Sequence, residues 1–361
     1  MSQTKRILWL DYARAVAIFF VVICHATEGS YYFIRMGEKE VTFFVWLTEN
    51  ILFTFGRLGV PLFVMISGGL MLRKEYNIKE FYKQRLFPLV VTTEIWIIIC
   101  YFLSLFIKGN EYGTKDFLYN LFFLKQSPLS HMWYMPMILG LYLVVPLISK
   151  ALKTVSFADI YLPILCAIVA FSVIPLFNAF SVEIIGFFPD AKLTIDVGFW
   201  GGVYGVLLIL GNYISNEQIL KKIKFPILVF VFILSFICNS IGARYFYVNK
   251  LTHSDIFGWY SSPFILLSSV CLIEMLRRIP QHKCPKIIVF LSKGSFIIYL
   301  VHNLVLYIFN EIVKNSTLNE CGDLTISVLR FFVSVSISIL TVFIVNKIPL
   351  ARVKKYVFYS K

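Results

Sequence analysis

Residues 7–26 read ILWLDYARAVAIFFVVICHA, an apolar run interrupted by Asp11, Arg14 and His25. About 20 apolar residues suffice for a helix to cross a bilayer, so this run predicts a transmembrane helix that begins close to the N-terminus. A charge and an imidazole inside such a helix are costly unless they face protein or a wet cavity. At about 100° and 1.5 Å per residue, the eleven steps from Arg14 to His25 amount to three turns plus about 20°, over about 16 Å of axis. The two side chains therefore share a face, and Asp11 falls about 40° from His25 on the same stripe. Taken singly, Arg14 also fits an interfacial arginine and His25 a satisfied core histidine. The shared face favours one wall of a site running from the inner to the outer end of the helix.

Composition supports the membrane reading. Of 361 residues, 58% are hydrophobic, with 36 Phe and 20 Tyr, and the mean hydropathy is +0.78. A soluble chain of this size would expose too much apolar surface, whereas lipid-facing helices with interfacial aromatic belts account for it. No small-residue cleavage site follows the first helix, and Arg14 makes a poor signal-peptide core, so the helix is expected to be retained. Seven cysteines at 24, 100, 166, 238, 271, 284 and 321 stand singly. Their spacing predicts neither a disulfide framework nor a metal site.

Ten apolar stretches follow one another: 7–27, 51–72, 88–107, 132–149, 160–178, 196–214, 225–243, 257–276, 287–310 and 325–346. The segment 41–50 either extends the second helix or lies at the interface. The expected architecture is an all-α integral membrane bundle of about ten transmembrane helices, forming one domain over 1–361. Placing alternate loops on opposite sides collects 21 Lys and Arg on one side, including Arg73, Lys74, Lys79, Lys83 and Arg85, against nine on the other. The positive-inside bias puts both termini in the cytoplasm. The formal charge of +14 then reflects topology, with anionic lipid as a partner and no nucleic acid.

Five motifs carry chemistry. The first is Asp11, Arg14 and His25, with Glu28 three residues on, close enough to orient the imidazole if the helix continues. His25 suits proton removal from a hydroxyl at neutral pH. The second, Arg57-Leu-Gly-Val-Pro-Leu-Phe-Val-Met-Ile-Ser67-Gly68-Gly69, also reads as close helix packing through small residues. The third, Lys83-Gln-Arg85-Leu-Phe-Pro88, is either positive-inside charge or a phosphate clamp. The fourth, His131-Met-Trp133, is either an aromatic-belt position or part of a site. The fifth, Tyr299-Leu-Val-His302, lies in a later helix, where a His also serves helix–helix hydrogen bonding. No nucleophile elbow, phosphate-binding loop or H-E-x-x-H motif occurs.

In this order the motifs resemble the membrane acyltransferase 3 family. They are Leu10-Asp11-Tyr-Ala-Arg14 with His25 after ten residues, Val60-Pro-Leu-Phe63 leading to Ser67-Gly68, Arg85-x-x-Pro88, His131-x-Trp133 and Tyr299-x-x-His302. The chain looks most similar to stand-alone bacterial members that O-acetylate surface polysaccharides or their lipid-linked precursors. It departs from them at Tyr82, where the family often carries an Arg three residues before Arg85. No hydrolase-like domain follows, so transfer is expected to finish within the membrane domain. The resemblance implies a multi-pass protein of the bacterial cytoplasmic membrane. It implies transfer from a cytoplasmic CoA thioester, acetyl-CoA by default, to a hydroxyl of a carbohydrate or lipid-linked glycan at the outer face. Succinyl remains an alternative acyl group, and homo-oligomerisation stays open. Catalytic work is then expected of His25, Arg14, Asp11 and Glu28. The CoA thioester is expected to meet Arg85, Lys83, Arg73, Arg14 and Ser67, and the acceptor His131, Trp133, Arg57, His302 and Tyr299. The alternative is a transporter or flippase of a lipid-linked saccharide, which also accounts for intramembrane polar residues. It is weakened because the ten stretches show no internal repeat. A scaffold would leave the Arg14–His25 stripe unexplained.

The charge bias yields a first prediction. Reporter fusions at either terminus and cysteine labelling in the 73–87 loop should all report the cytoplasmic side. Termini accessible from outside would overturn the route drawn for the donor.

Overall fold

The computed structural model describes residues 6–35, 40–108, 113–127, 129–181, 201–251, 253–280, 285–349 and 351–359, and among them every regular element is helical. In chain order the α-helices are α1 (Leu8–Arg35), α2 (Phe43–Arg57), α3 (Gly59–Met71), α4 (Ile78–Phe81), α5 (Phe87–Lys108), α6 (Thr114–Leu121), α7 (Tyr134–Ala151), α8 (Phe157–Ile168), α9 (Ile174–Phe180), α10 (Gly202–Asn212), α11 (Phe225–Val248), α12 (Pro263–Arg277), α13 (Lys286–Lys314), α14 (Asp323–Lys347) and α15 (Ala351–Val357). Wider π turns occupy Tyr82–Leu86, Val169–Val173 and Tyr213–Glu217.

Eight segments among the described residues are long and apolar enough to cross a membrane: Leu8–Tyr32, Phe43–Met71, Ile78–Ile107, Ser130–Ala151, Phe157–Phe180, Phe225–Val248, Lys286–Lys314 and Asp323–Lys347. Each coincides with one of the ten apolar stretches. The other two, 196–214 and 257–276, yield α10 with 11 residues and α12 with 15, short of the ~20 that a crossing requires. Residues 196–200 lie outside the described set. Segment 41–50 belongs to the second crossing, where α2 and α3 meet at Leu58, whose N–H is held by the Gly56 and Phe55 carbonyls.

On α11 and α14 large apolar side chains turn outward and small or polar ones inward. On α14, Ser327, Ser334 and Ser338 are buried while Phe332, Leu340 and Phe343 are exposed. On α11, Ser235, Asn239 and Gly242 are buried while Phe230, Ile233 and Ile241 are exposed. This polarity suits a hydrocarbon solvent, because lipid gives no hydrophobic drive to bury large apolar groups. Hydroxyls in the helices bond back to their own carbonyls, as Ser67 does to Phe63 (2.9 Å), Thr93 to Leu89 (2.8 Å) and Ser269 to Ile265 (2.7 Å). These three hydroxyls need not then face lipid unpaired.

The chain divides into two compact units, Met1–Arg73 with Ala151–Ser292, and Lys74–Lys150 with Lys293–Lys361. In the first, glycines set the helix spacing. A Cβ on Gly56 would lie 2.6 Å from the Cys24 backbone, and one on Gly59 would lie 2.7 Å from the Ala17 carbonyl oxygen. Gly68 and Gly211 do the same for α3 and α10, with hypothetical Cβ atoms 1.8 Å from the Leu208 oxygen and 2.2 Å from the Met65 oxygen. The packing role of the Ser67-Gly68-Gly69 segment is thus explicit. At the far end of α12, fully buried Glu274 takes both Arg277 (2.7 and 2.8 Å) and Arg278 (2.7 Å). Arg278 also donates to the Leu220 and Ile223 carbonyls, which fixes the loop before α11.

In the second unit, α15 lies on α5. Thr92 Oγ1 donates to the Tyr356 carbonyl (2.8 Å) and Trp96 Nε1 to that of Val357 (2.7 Å). Ser334 on α14 donates to the His302 carbonyl on α13 at 2.9 Å.

These contacts predict opposite responses to one kind of change. Gly68→Ala should force α3 away from α10 and cost about 1–3 kcal/mol or more. Gly140, inside α7, has nothing within 4 Å of a built Cβ, so Gly140→Ala should be neutral or stabilising by up to about 1 kcal/mol. Thermal unfolding of the purified variants in detergent checks both; an unchanged Gly68→Ala would show that the close approach is dispensable.

Candidate active site

α1 is continuous through both Arg14 and His25, so the shared stripe is realised. Its lower end is anchored by an ion pair. Arg6 grips Asp11 with two hydrogen bonds (2.5 and 2.8 Å), and Ser292 Oγ adds a third at 2.7 Å. Asp11 is buried with these donors around it, and the Arg14 charge acts on it as well. A carboxylate so saturated positions the start of α1 and has little capacity left to move a proton.

At the upper end, His25 Nδ1 lies 2.8 Å from the Val21 carbonyl oxygen. A carbonyl only accepts, so Nδ1 carries the proton and, in the neutral ring, Nε2 presents the lone pair. Val21 thus holds the Nδ1 side of the ring. Glu28 meets Arg57 Nη2 across the α1–α2 contact at 3.4 Å. Arg57 is largely buried. Its Nη1 donates to Tyr260 Oη at 3.3 Å, and its guanidinium lies over the Phe53, Tyr260 and Trp259 rings at 4.5, 5.3 and 5.7 Å. Both Glu28 and Arg57 act electrostatically on the His25 ring. The first unit therefore holds a tautomerically fixed imidazole beside a buried, partnered positive charge. That combination suits proton removal next to a group that gathers negative charge.

Arg73, expected to meet the donor, is engaged within the first unit. It forms a very short ion pair with Glu217, donates to the Val155 carbonyl (2.6 Å) and stacks on Tyr213 at 5.0 Å. The second Glu217 oxygen accepts from the Phe157 N–H at 3.1 Å. Arg73 sits at positive φ, 64°, a conformation costly for a side-chain-bearing residue, and this ion-paired junction holds it there. The Arg73–Glu217 pair thus joins the end of α3 to the start of α8.

In the second unit, Lys83 and Arg85 ride on the π turn Tyr82–Leu86, exposed and without an ion-pair partner among the described residues. Tyr82 donates to the Leu143 carbonyl at 2.7 Å and ties the turn to α7. Tyr76, nearby, is pushed up from its ordinary range by burial, while the Arg85 charge pulls it down. The same unit brings His131, Tyr299 and His302 together. The His131 ring meets His302 edge-on at 5.3 Å and Tyr299 at 5.5 Å. Tyr299 Oη donates to the His131 carbonyl at 2.9 Å. His302 Nδ1 faces the Tyr299 and Ile298 carbonyls at 2.7 and 3.1 Å, so Nδ1 again holds the proton. Trp133 contributes through its edge contact with Tyr134, 6.2 Å away.

A family model described as an acyltransferase domain, acyltransferase 3, matches residues 7–347. The chain belongs to the acyltransferase 3 family. No curated protein and no solved structure matches it. Membership in this family, with eight apolar helices, supports a multi-pass membrane acyltransferase and does not favour the transporter alternative.

Within this acyltransferase, sequence reasoning missed Tyr260, Trp259 and Ser292. The first two had a faint signature. Trp259-Tyr260 precedes Pro263 at a helix start, as Trp133-Tyr134 precedes Pro136. Ser292 had none, since only folding brings it to Asp11. Ser67, expected at the donor, bonds its own helix. Among the described residues no group of three or more His, Cys, Asp and Glu could hold a metal.

The Glu28–Arg57 contact should register as coupling. In a double-mutant cycle of Glu28→Gln and Arg57→Met, the interaction energy should fall between about 0.5 and 3 kcal/mol, read from thermal unfolding. Strict additivity would mean that the two charges act independently.

Proposed function

We propose that this acyltransferase is an O-acyltransferase of the bacterial cytoplasmic membrane, with both units forming one catalytic domain. It moves an acyl group, acetyl by default, from cytoplasmic acyl-CoA to a hydroxyl of a surface polysaccharide or lipid-linked glycan precursor at the outer face. The observation that carries the reading is His25, whose Nδ1 faces the Val21 carbonyl and so holds the proton of the neutral ring, on the same face of α1 as Arg14.

Family membership supports acyl transfer over the whole matched length, which spans both units. The charge bias supports a cytoplasmic 73–87 loop, and hence a donor head arriving there. Lys83 and Arg85 fit phosphate oxygens because they are exposed and carry no internal ion pair among the described residues. On α1, Arg14 is the cation proposed to attend the donor. A bound CoA thioester supplies an activated acyl carbon. His25 Nε2 accepts the acceptor hydroxyl proton and returns it to the departing sulfur, or itself carries the acyl group between donor and acceptor. Arg57, partnered by Glu28 and Tyr260, stabilises negative charge that develops nearby. His131, Tyr299 and His302, with Trp133, form the polar and aromatic cluster proposed to receive the sugar.

His25→Ala should abolish acylation while leaving protein level and CoA binding intact. A loss of about 10²–10⁴-fold matches a general base, and a larger loss matches an acyl carrier. Mass spectrometry of surface glycans with and without the gene should show an acetyl or succinyl increment that the variant lacks. Near-wild-type glycan acylation by a normally expressed variant would remove His25 from the mechanism. Separately, Arg85→Ala should weaken CoA binding in isothermal titration, and Arg85→Lys should restore it only in part because the fork is lost. Unchanged affinity would leave Arg85 a topological charge only.

A further inference from the structure

The first unit carries a second feature to which acyl transfer assigns no role, a cavity of about 600 Å³ between α2 and α11. Its walls are apolar, built from Trp46, Ile51, Phe236, Ile237 and Ile241, and Arg244 lines it near the C-terminal end of α11. Arg244 is eight residues from Phe236, about 12 Å along the helix. The cavity is thus an apolar channel with a cation towards one end, and Ile237, Ile241 and Tyr245 on its lining are exposed to the surroundings of the protein.

The guanidinium is positioned by aromatic rings, with Trp46, Tyr247 and Phe43 at 5.0, 5.2 and 5.3 Å. Among the described residues it forms no ion pair, and its buried Nη1 has no hydrogen-bond acceptor. α11 and the loop after it contain no acid through Leu251, while Lys250 adds a second positive charge at the same end. A partly buried guanidinium with an unmet donor calls for an anionic oxygen. Trp46, Tyr245 and Tyr247 around it form the kind of aromatic band that settles at headgroup depth.

We propose that this groove binds an anionic phospholipid of the surrounding bilayer, one hydrocarbon chain lying along Ile237 and Ile241 and the phosphate meeting Arg244. The volume falls in the range of small-ligand sites, and the pairing of one cation with an apolar channel matches a phosphate on a single chain. This site goes beyond the acyl-transfer reading and does not depend on it.

The test is lipid retention by the full-length protein, purified in detergent and examined by native mass spectrometry after mixing with phosphatidylglycerol or phosphatidylcholine of the same chain length. Wild type should retain phosphatidylglycerol about fivefold more, the discrimination that one basic residue near an anionic headgroup provides. Arg244→Ala should lose the preference. Ile241→Trp, which fills the channel and keeps the charge, should lower phosphatidylglycerol retention with Arg244 in place. Equal retention of the two lipids by wild type, or an undiminished preference in Arg244→Ala, overturns the proposal. Displacement of the lipid by inorganic phosphate at low millimolar concentration also overturns it, because the headgroup alone would then be the ligand. If Arg244→Ala fails to survive purification, the wild-type preference and the Ile241→Trp result decide.

Discussion

Everything in the first unit depends on how closely α2 and α3 can approach α1. In hydrocarbon, two helices gain little by hiding leucines from lipid, so they associate through backbone proximity and the hydrogen bonds it permits. Gly56 and Gly59 provide that proximity on either side of Arg57, against Cys24 and against Ala17 with Val21. Arg57 is therefore delivered to the level of Glu28 and His25 by the glycines one position before and two positions after it. A larger side chain at either glycine would move the charge as well as the helix.

The approach also explains how a guanidinium can sit there. Its positive charge is offset by Glu28, its remaining surface is covered by Phe53, Trp259 and Tyr260, and Tyr260 Oη accepts one of its protons. Arg suits such a place because its delocalised charge is weakly hydrated and tolerates aromatic faces. His25, one turn from Glu28 on the same helix, is oriented by a main-chain carbonyl rather than by a carboxylate.

Much of this was legible from local pattern. Long apolar runs with few charges announce crossings on their own, and eight did so because each was also long enough. Within the stretches at 196–214 and 257–276 the described residues form the shorter helices α10 and α12, and hydropathy does not register where a helix begins. The Arg14–His25 stripe could be read because its geometry lies within one helix. Arg57–Tyr260, Asp11–Ser292 and Arg73–Glu217 could not, since each joins residues more than 140 positions apart. Basic residues were the hardest to assign. Arg73 and Arg85 look alike in sequence, yet one is engaged by Glu217, Val155 and Tyr213 and the other is exposed, and only folding brings those three partners to Arg73.

The π turn at Tyr82–Leu86 carries a consequence of a different kind. A wide turn holds one more residue than an ordinary turn would, at the cost of a looser local hydrogen-bond pattern. Loss of a single residue there would let the helix close up, rotating Lys83 and Arg85 by about 100° relative to α5, even though every remaining side chain kept its identity. Over evolutionary time this segment should accept exchanges of one amino acid for another more readily than any change in its length.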